Sequence, residues 1–282
     1  MSGARAKRRE PPFAKRRFGQ NFLHDQGVIS RLLRSFDVRD DDCVVEIGPG
    51  RGALSVELAA SAGRYLALEV DGELIPDLAK KLEAYKRATV RQDDATKVDW
   101  DGLARAEGAR LRVIGNLPYN VGTAILRRLF AAEHVRDIQI VLQLEVVSRI
   151  LSSEGSKAYG PLSIVPALRF TGQKVFTIAP ESFKPRPKVR SAALLLTKKA
   201  RPLISGEDIA WLEPWLFRGF RHRRKTLAGN LEDKGPLVRQ VLEEHGLATD
   251  ARAEALSPET WLALARRLQE STPGGGHPKA RR

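Results

Sequence analysis

The chain has 282 residues, 42% of them hydrophobic, which is enough to bury a substantial core in one or two domains. No apolar run approaches the roughly 20 residues of a membrane span. The Arg/Lys-rich residues 1–17 contain no apolar segment, which argues against a secretory signal. The net charge of +14 favours a polyanionic partner, RNA or DNA.

The charge is unevenly distributed along the chain. Residues 1–20 carry seven Lys/Arg against one acid, and residues 198–225 carry eight against three. Residues 37–110 carry eleven against sixteen acids. We therefore expect a nucleic-acid-facing surface formed by the two ends of the chain, with a merely solvated basic surface as the alternative.

The single cysteine, Cys43, excludes an intrachain disulfide and favours a reducing compartment, the cytoplasm. Its position in an apolar run predicts a buried, inert thiol. No histidine has metal-ligand spacing, so we expect no metal site. Coiled-coil heptads are missing from the sequence, which favours a monomer.

The elements follow in order along the chain. Residues 1–14 contain Pro11-Pro12 and few apolar residues, which predicts a flexible basic arm. Short β-branched runs then alternate with longer amphipathic stretches, a pattern typical of βαβ units and a doubly wound α/β sheet. Candidate strands are residues 43–47, 64–70, 88–92, 111–115 and 138–144, and candidate helices include 73–86 and 121–130.

The later part of the chain changes character. Residues 174–178 and 192–197 predict a β pair joined by the proline-rich connection 180–187. From about residue 200 helical periodicity covers 208–267, with Ser257-Pro258-Glu259 as a helix start. We expect an α/β domain over 15–199, a helical domain over 200–270 and a disordered tail over 271–282.

Glycines and acids follow the ends of the predicted parallel strands, where open α/β sheets bind ligands. The first strand runs into Gly48-Pro49-Gly50, whose glycines let the backbone approach a nucleoside. The second strand ends in Glu69, which can accept hydrogen bonds from two ribose hydroxyls. Asp94 follows the third strand and can accept from an adenine amine, or can simply cap a helix. The pattern predicts a nucleoside cofactor, and the glycine turn alone would also fit an NAD-dependent oxidoreductase or a structural turn.

The fourth strand ends in Asn116-Leu117-Pro118-Tyr119, which combine an amide, a proline-fixed carbonyl and an aromatic ring. An aromatic amine is a poor nucleophile because its lone pair is delocalised into the ring. If the Asn116 side-chain oxygen and the Leu117 or Pro118 carbonyl accept its two N–H bonds, the lone pair is directed at an electrophile such as a methylsulfonium. Tyr119 would stack on the base. The alternative is an ordinary strand-ending turn.

With these motifs in order, the sequence resembles the rRNA adenine N6,N6-dimethyltransferases over about residues 15–268. The resemblance rests on RFGQNFL at 17–23, EIGPG at 46–50, NLPYN at 116–120, LQ at 142–143 with EVV at 145–147, SKAYG at 156–160, and Phe220 with RRKT at 223–226.

That resemblance implies a Rossmann-like class I methyltransferase domain and a small all-helical C-terminal domain that helps to bind RNA. It implies S-adenosylmethionine as the cofactor, with residues 18–23 closing over it as a lid. The expected cofactor contacts are Asn21, Leu23, Gly48, Gly50, Glu69, Asp94 and Asn116.

The resemblance also implies the substrate, two adjacent adenines in the 3′-terminal hairpin of 16S rRNA on an assembling 30S subunit. Phe183 would face Tyr119 across the target base, although composition alone favours a core residue. Arg51, Lys184, Arg186 and Arg190 depart from the family pattern and add positive charge near the base pocket.

The most basic stretch of the helical region is residues 217–225. Several of its cations are predicted to fall on one helical face suited to tracking phosphates, with a solvated face as the alternative. The expected RNA contacts are Arg218, Arg221, Arg223, Arg224 and Lys225.

Two other functions within this fold stay open. One is methylation of 23S rRNA, as in macrolide resistance. The other is a non-catalytic nucleic-acid-binding factor, like mitochondrial transcription factor B. The presence of Gly48, Glu69, Asp94 and Asn116 argues against the second.

Overall fold

The computed structural model describes residues 20–272. The predicted basic arm at 1–14 lies outside the described residues, as do residues 273–282 of the predicted tail at 271–282. In the described part, no helix is both long enough and apolar enough to cross a bilayer.

A seven-stranded sheet forms the centre of the fold. Five strands are parallel: β2 (Cys43–Ile47), β3 (Arg64–Glu69), β4 (Ala88–Gln92), β5 (Leu111–Asn116) and β6 (Val135–Gln143). Two more, β7 (Phe170–Ile178) and β9 (Ser191–Lys198), are antiparallel. The strand order β4-β3-β2-β5-β6-β9-β7 reverses between β2 and β5, where a doubly wound sheet binds its ligand. The doubly wound α/β prediction is confirmed.

Helices cover both faces of the sheet, because its parallel strands are apolar on both sides. In β2, Val44 and Val45 are fully buried in two separate apolar clusters. The helices of this layer are α1 (Gln26–Phe36), α2 (Ser55–Ser61), α3 (Ile75–Leu82), α4 (Trp100–Glu107), α5 (Gly122–Ala131), α6 (Leu144–Ile150) and α7 (Pro161–Arg169).

The predicted element bounds differ from the structure in places. The helix predicted at 73–86 is shorter, because α3 begins next to Pro76 in its first turn and ends at Leu82. The fifth parallel strand begins at Val135, three residues before its predicted start. The β pair β7–β9 forms as predicted.

The proline-rich connection contains an element that the sequence did not suggest. β8 (Phe183–Lys184) pairs antiparallel with β1 (Phe22–Leu23), which places residues 22–23 beside the connection between β7 and β9. The His24 N–H donates to the Ser182 carbonyl at 3.0 Å, and the Ser182 hydroxyl lies 2.9 Å from Asp25 Oδ2. Residues 22–25 are thereby held against the connection between β7 and β9.

From residue 200 onward the described chain is helical, with α8 (Ile209–Gly219), α9 (Leu227–Asn230), α10 (Gly235–Glu244) and α11 (Pro258–Glu270). Ser257 caps α11 as predicted, its hydroxyl accepting the Thr260 N–H at 3.1 Å. Leu212 of α8 and Trp261 of α11 belong to the same buried cluster as Val113 of the sheet. The helical region therefore shares its core with the sheet.

The prediction that residues 217–225 form one helical face is wrong. α8 ends at Gly219, where the Asn230 side-chain amide donates to the Gly219 carbonyl at 2.7 Å. The ring of Phe220, the next residue, stacks on Trp261 of α11 with centroids 5.4 Å apart. Four of the predicted RNA contacts thus lie in the loop before α9 and not on a helix, namely Arg221, Arg223, Arg224 and Lys225.

Candidate active site

A cavity of about 270 Å³ opens where the carboxyl ends of β2, β3, β4 and β5 meet. This edge is the switch point of the sheet, as the strand-end argument predicted. The structure brings ten of the predicted site residues together in its lining: Asn21, Leu23, Gly48, Gly50, Glu69, Asp94, Asn116, Leu117, Pro118 and Tyr119.

The glycine turn after β2 is tied to the end of β3 through Glu69. The Gly50 N–H donates to Glu69 Oε2 at 3.0 Å, and the Asp71 N–H donates to Oε1 at 2.9 Å. Gly50 has a φ of +57° and packs against Phe22, whose ring carbon would lie 2.9 Å from an added Cβ. The Phe22 ring of β1 therefore packs over the glycine turn at Gly50.

Glu69 is buried, and burial raises the pKa of its carboxyl above the usual range, while backbone N–H groups, those of Asp71 and Gly50 foremost, oppose this. A carboxylate has about four acceptor positions, and the backbone uses two of them. Glu69 lines the cavity, and its two oxygens suit the two adjacent hydroxyls of a ribose. This donor and acceptor count fits the nucleoside of S-adenosylmethionine.

Asp94 has local partners. Its Oδ1 accepts the Thr96 N–H at 3.0 Å and the Thr96 hydroxyl at 2.7 Å, and these bonds lower the pKa of the carboxyl. Its Oδ2 lies 3.5 Å from Lys97 Nζ. The side chain lines the cavity but also closes the turn after β4, so it fits both alternatives considered for it.

Asn116 ends β5 with its amide oriented by the amino-terminal segment. Its Nδ2 donates to the Asn21 carbonyl at 2.8 Å, so Oδ1 is the atom left to accept an N–H from a ligand. The Pro118 carbonyl accepts the N–H groups of Val121 and Gly122 at 3.2 and 2.9 Å. Because both of its lone pairs are used at the start of α5, the Leu117 carbonyl is the better second acceptor.

Tyr119 stands half-buried at the cavity wall. Its hydroxyl lies 2.7 Å from the Ser191 hydroxyl at the start of β9, and burial raises the pKa of the phenol. Ser191 is a partner that the sequence analysis missed, since no local signal links it to a residue 72 positions away. The contact fixes the ring plane on which a base could stack.

Phe183 lies elsewhere. Its side chain is 3% exposed and belongs to an apolar cluster with Leu23 and Ile114. It is outside the set of residues that line the cavity. This placement agrees with the core interpretation from composition, and a stacking role for Phe183 stays a prediction.

Glu46 is a second buried acid at the cavity. It accepts a hydrogen bond from the Ser55 hydroxyl at 2.7 Å and another from the Tyr65 hydroxyl. Burial raises its pKa to about 7. Cys43, at the other end of β2, is buried as predicted, and burial raises the pKa of the thiol to about 11.

The five cations predicted to contact RNA are all exposed. Arg218 stacks over the Trp215 ring at 5.0 Å and pairs with Asp233. Arg223 donates to the Tyr159 carbonyl at 3.2 Å, which anchors the loop to the segment before α7.

The sheet order and the nucleoside-fitting cavity define a class I S-adenosylmethionine-dependent methyltransferase. Among solved structures, the chain is similar to the 23S rRNA methyltransferase ErmE, with a TM-score of 0.69, 28% identity and coverage of 88% of this chain and 99% of that one. It shares its fold with a dimethyladenosine transferase from Plasmodium falciparum, with a TM-score of 0.75, 22% identity and coverage of 88% and 98%.

The sequence profile described as "Ribosomal RNA adenine dimethylase" matches residues 13–270, and the chain belongs to that family. It is 42% identical to a ribosomal RNA small subunit methyltransferase A from Hahella chejuensis, over 89% of this chain and 92% of that protein. The protein of the same name from Pseudomonas aeruginosa is 39% identical, over 91% and 95%.

Proposed function

We propose that this protein transfers methyl groups from S-adenosylmethionine to the N6 amines of two adjacent adenines in the 3′-terminal hairpin of 16S rRNA. We further propose that it acts as a monomer on an assembling 30S subunit in the cytoplasm. The observation that carries the proposal is the pair of acceptors at the end of β5, Asn116 Oδ1 and the Leu117 carbonyl. Family membership and the small-subunit relatives support the substrate.

The cofactor side of the cavity consists of backbone and acids. Gly48 and Gly50 allow close approach, Glu69 would accept the ribose hydroxyls, and Asp94 would accept from the cofactor adenine. Asn21 and Leu23 would cover the bound molecule from the β1 side. When bound, S-adenosylmethionine supplies an electrophilic methyl group on a sulfonium.

The target side of the cavity acts by positioning. Asn116 Oδ1 and the Leu117 carbonyl would accept the two N–H bonds of the adenine amine, which draws its nitrogen toward tetrahedral geometry and directs its lone pair. Pro118 restricts the backbone directly after the Leu117 carbonyl, and Tyr119 offers a stacking surface whose hydroxyl contacts Ser191. Such fixed acceptors need no rearrangement during the reaction, and positioning of the amine against the methyl group would supply most of the rate acceleration.

The basic loop before α9 would track phosphates of the same RNA. Arg221, Arg224 and Lys225 are exposed on it, and Arg223 is anchored through Tyr159. Phosphate contacts of this kind fix the register of an RNA without reading its sequence.

The test is methyl transfer in vitro. Small subunits from cells that lack the enzyme are incubated with the full chain and methyl-labelled S-adenosylmethionine, and the 16S rRNA is digested to nucleosides for mass spectrometry. We expect N6,N6-dimethyladenosine at two adjacent positions of the hairpin. Absence of labelled dimethyladenosine from 16S rRNA would contradict the proposal.

Methylation of 23S rRNA is the second candidate, favoured by the 28% identity to ErmE over 88% of this chain. The same assay with unmodified large subunits discriminates between the two. We expect transfer to the small subunit alone, and label only in 23S rRNA would support the alternative.

A further inference from the structure

We infer that residues 184–190, here called the rim loop, form a second RNA contact that grips the phosphates beside the adenine being methylated. This inference rests on the proposed function. It assigns a role to cations that lie outside both the cavity and the basic loop before α9.

The two ends of the rim loop lie beside residues that line the cavity. At one end, Lys184 is paired with Phe22 in the β1–β8 ladder, and Phe22 lines the cavity. At the other end, the Arg190 carbonyl accepts the Leu144 N–H at 2.9 Å. The next residue, Ser191, holds the hydroxyl of Tyr119 at 2.7 Å. The loop therefore lies next to the surface on which the base would stack.

The rim loop is strongly and purely cationic. Its sequence, KPRPKVR, has a positive residue at every second position and no acid. All four cations are exposed, and Pro185 and Pro187 restrict the backbone between them. Arg186 pairs with Glu181, but both side chains are more than half exposed, so water and a phosphate can compete for the guanidinium.

The sheet order separates the β9 end of the rim loop from the acids of the cavity. Glu69 ends β3 and Asp94 follows β4, on one side of the switch point, whereas Arg190 directly precedes β9 on the other side. The adenine amine must enter between them, at the end of β5. An RNA strand that delivers the base from the β9 side would pass the cations of the rim loop. Glu69 and Asp94 would then remain for the cofactor, which carries hydroxyls and a sulfonium.

The chemistry of the rim loop fits an RNA backbone better than a base edge. Lysine and arginine contact phosphate oxygens without sequence preference, and each such contact adds to the salt dependence of binding. An adenine taken out of a hairpin loses stacking, and contacts to its flanking phosphates offset that loss. The rim loop would thus hold the strand while Tyr119 receives the base.

The experiment compares two variants that lose the same charge. The first replaces rim-loop cations (Lys184→Gln, Arg186→Gln, Arg190→Gln). The matched control replaces three exposed cations at the opposite, amino-terminal edge of the sheet (Lys86→Gln, Arg87→Gln, Arg110→Gln). Binding of the full chain to a synthetic hairpin with the 3′-terminal 16S sequence is measured over a series of KCl concentrations.

We expect the slope of log K against log salt to decrease by about 2 in the rim-loop variant, ~0.7 for each of three contacts, and to stay at the wild-type value in the control. The affinity for S-adenosylmethionine should stay unchanged in both, which shows that the cavity is intact. A charge-conserving variant, Arg186→Lys with Arg190→Lys, should keep the wild-type slope.

Equal slopes in the rim-loop variant and the control would overturn the inference. The proposed function is checked separately by wild-type methyl transfer to small subunits, which is scored independently of the slopes. If the wild type methylates 16S rRNA and the slopes are equal, only the rim-loop inference fails.

Discussion

At the residue scale, one hydrogen bond decides which atom of Asn116 can serve the reaction. Asn116 Nδ2 donates a hydrogen bond to the Asn21 carbonyl at 2.8 Å, so Asn116 Oδ1 is the atom that remains as an acceptor. The sequence could predict the residue types at the strand end, because strand ends follow from periodicity. It could not choose between the Leu117 and Pro118 carbonyls, because that choice depends on how α5 begins.

The first prediction concerns Asn116→Ala. Loss of the amide oxygen should lower the single-turnover rate of methyl transfer ~100-fold or more, because an acceptor aimed at the reacting amine is removed. The dissociation constant of S-adenosylmethionine should change by less than about tenfold, 1.4 kcal/mol, because Glu69 and the glycine turn are intact. Isothermal titration calorimetry measures the dissociation constant, and rapid-quench kinetics measures the single-turnover rate. Equal loss in both would contradict the role given to Asn116.

The second prediction concerns the buried acid Glu46, whose pKa is raised by burial from 4.5 to about 7. Because the folded-state pKa is the higher one, the protonated carboxyl favours folding below pH 4.5. That contribution is lost as the pH rises through about 7. The free-energy difference between wild type and Glu46→Gln should shift against the wild type by on the order of 3 kcal/mol over this range.

Urea unfolding of both proteins from pH 4.5 to 8 gives the Glu46 effect, because other titrations cancel in the difference. Glutamine has nearly the same volume as glutamate, and its amide oxygen can accept from the Ser55 and Tyr65 hydroxyls. The free energy of unfolding of the Glu46→Gln variant should therefore vary with pH only through the other titratable groups. A difference that does not change with pH would show that Glu46 is ionised in the folded protein throughout.

At the element scale, β1 is the part of the site that sequence patterns describe least well. Two residues of strand cannot show periodicity, and their partner β8 lies about 160 residues away. The resemblance indicated a covering segment at 18–23, and the structure describes it from residue 20. The error at 217–225 has a similar cause, since long-range contacts of Phe220 and Asn230 end α8.

The third prediction tests whether β1 covers the cofactor. In Gly50→Ala a new Cβ would meet the Phe22 ring at 2.9 Å and displace β1, whereas in Gly108→Ala it would meet nothing within 4 Å. Both glycines have φ near +60°, so both variants carry a similar backbone strain of ~1–2 kcal/mol, and Gly50→Ala loses further stability through the contact with Phe22. Only Gly50→Ala should weaken S-adenosylmethionine binding, by ~10-fold or more. Similar cofactor affinity in the two variants would contradict the covering role.

At the scale of the whole molecule, the helical region and the sheet share one apolar core. The change of hydrophobic periodicity near residue 200 correctly predicted an α/β part followed by helices. Periodicity cannot show whether two parts bury their apolar faces separately or together. Here Trp261 of α11, Val113 of β5 and Leu168 of α7 belong to one cluster.

The fourth prediction follows from this shared core. Trp261→Ala removes a fully buried ring from the helical region and should cost ~3–5 kcal/mol, and Leu111→Ala in the sheet ~2–5 kcal/mol. Calorimetry should show one transition that moves down in temperature in both variants. Two transitions, each moved by only one of the variants, would show that the regions unfold independently.

The most direct test of the central claim is a crystal structure with S-adenosylmethionine bound. We expect Glu69 to accept hydrogen bonds from the ribose hydroxyls and the methyl group to point toward Asn116 Oδ1 and the Leu117 carbonyl. A sulfonium located away from residues 116–119, with its methyl group directed elsewhere, would contradict it.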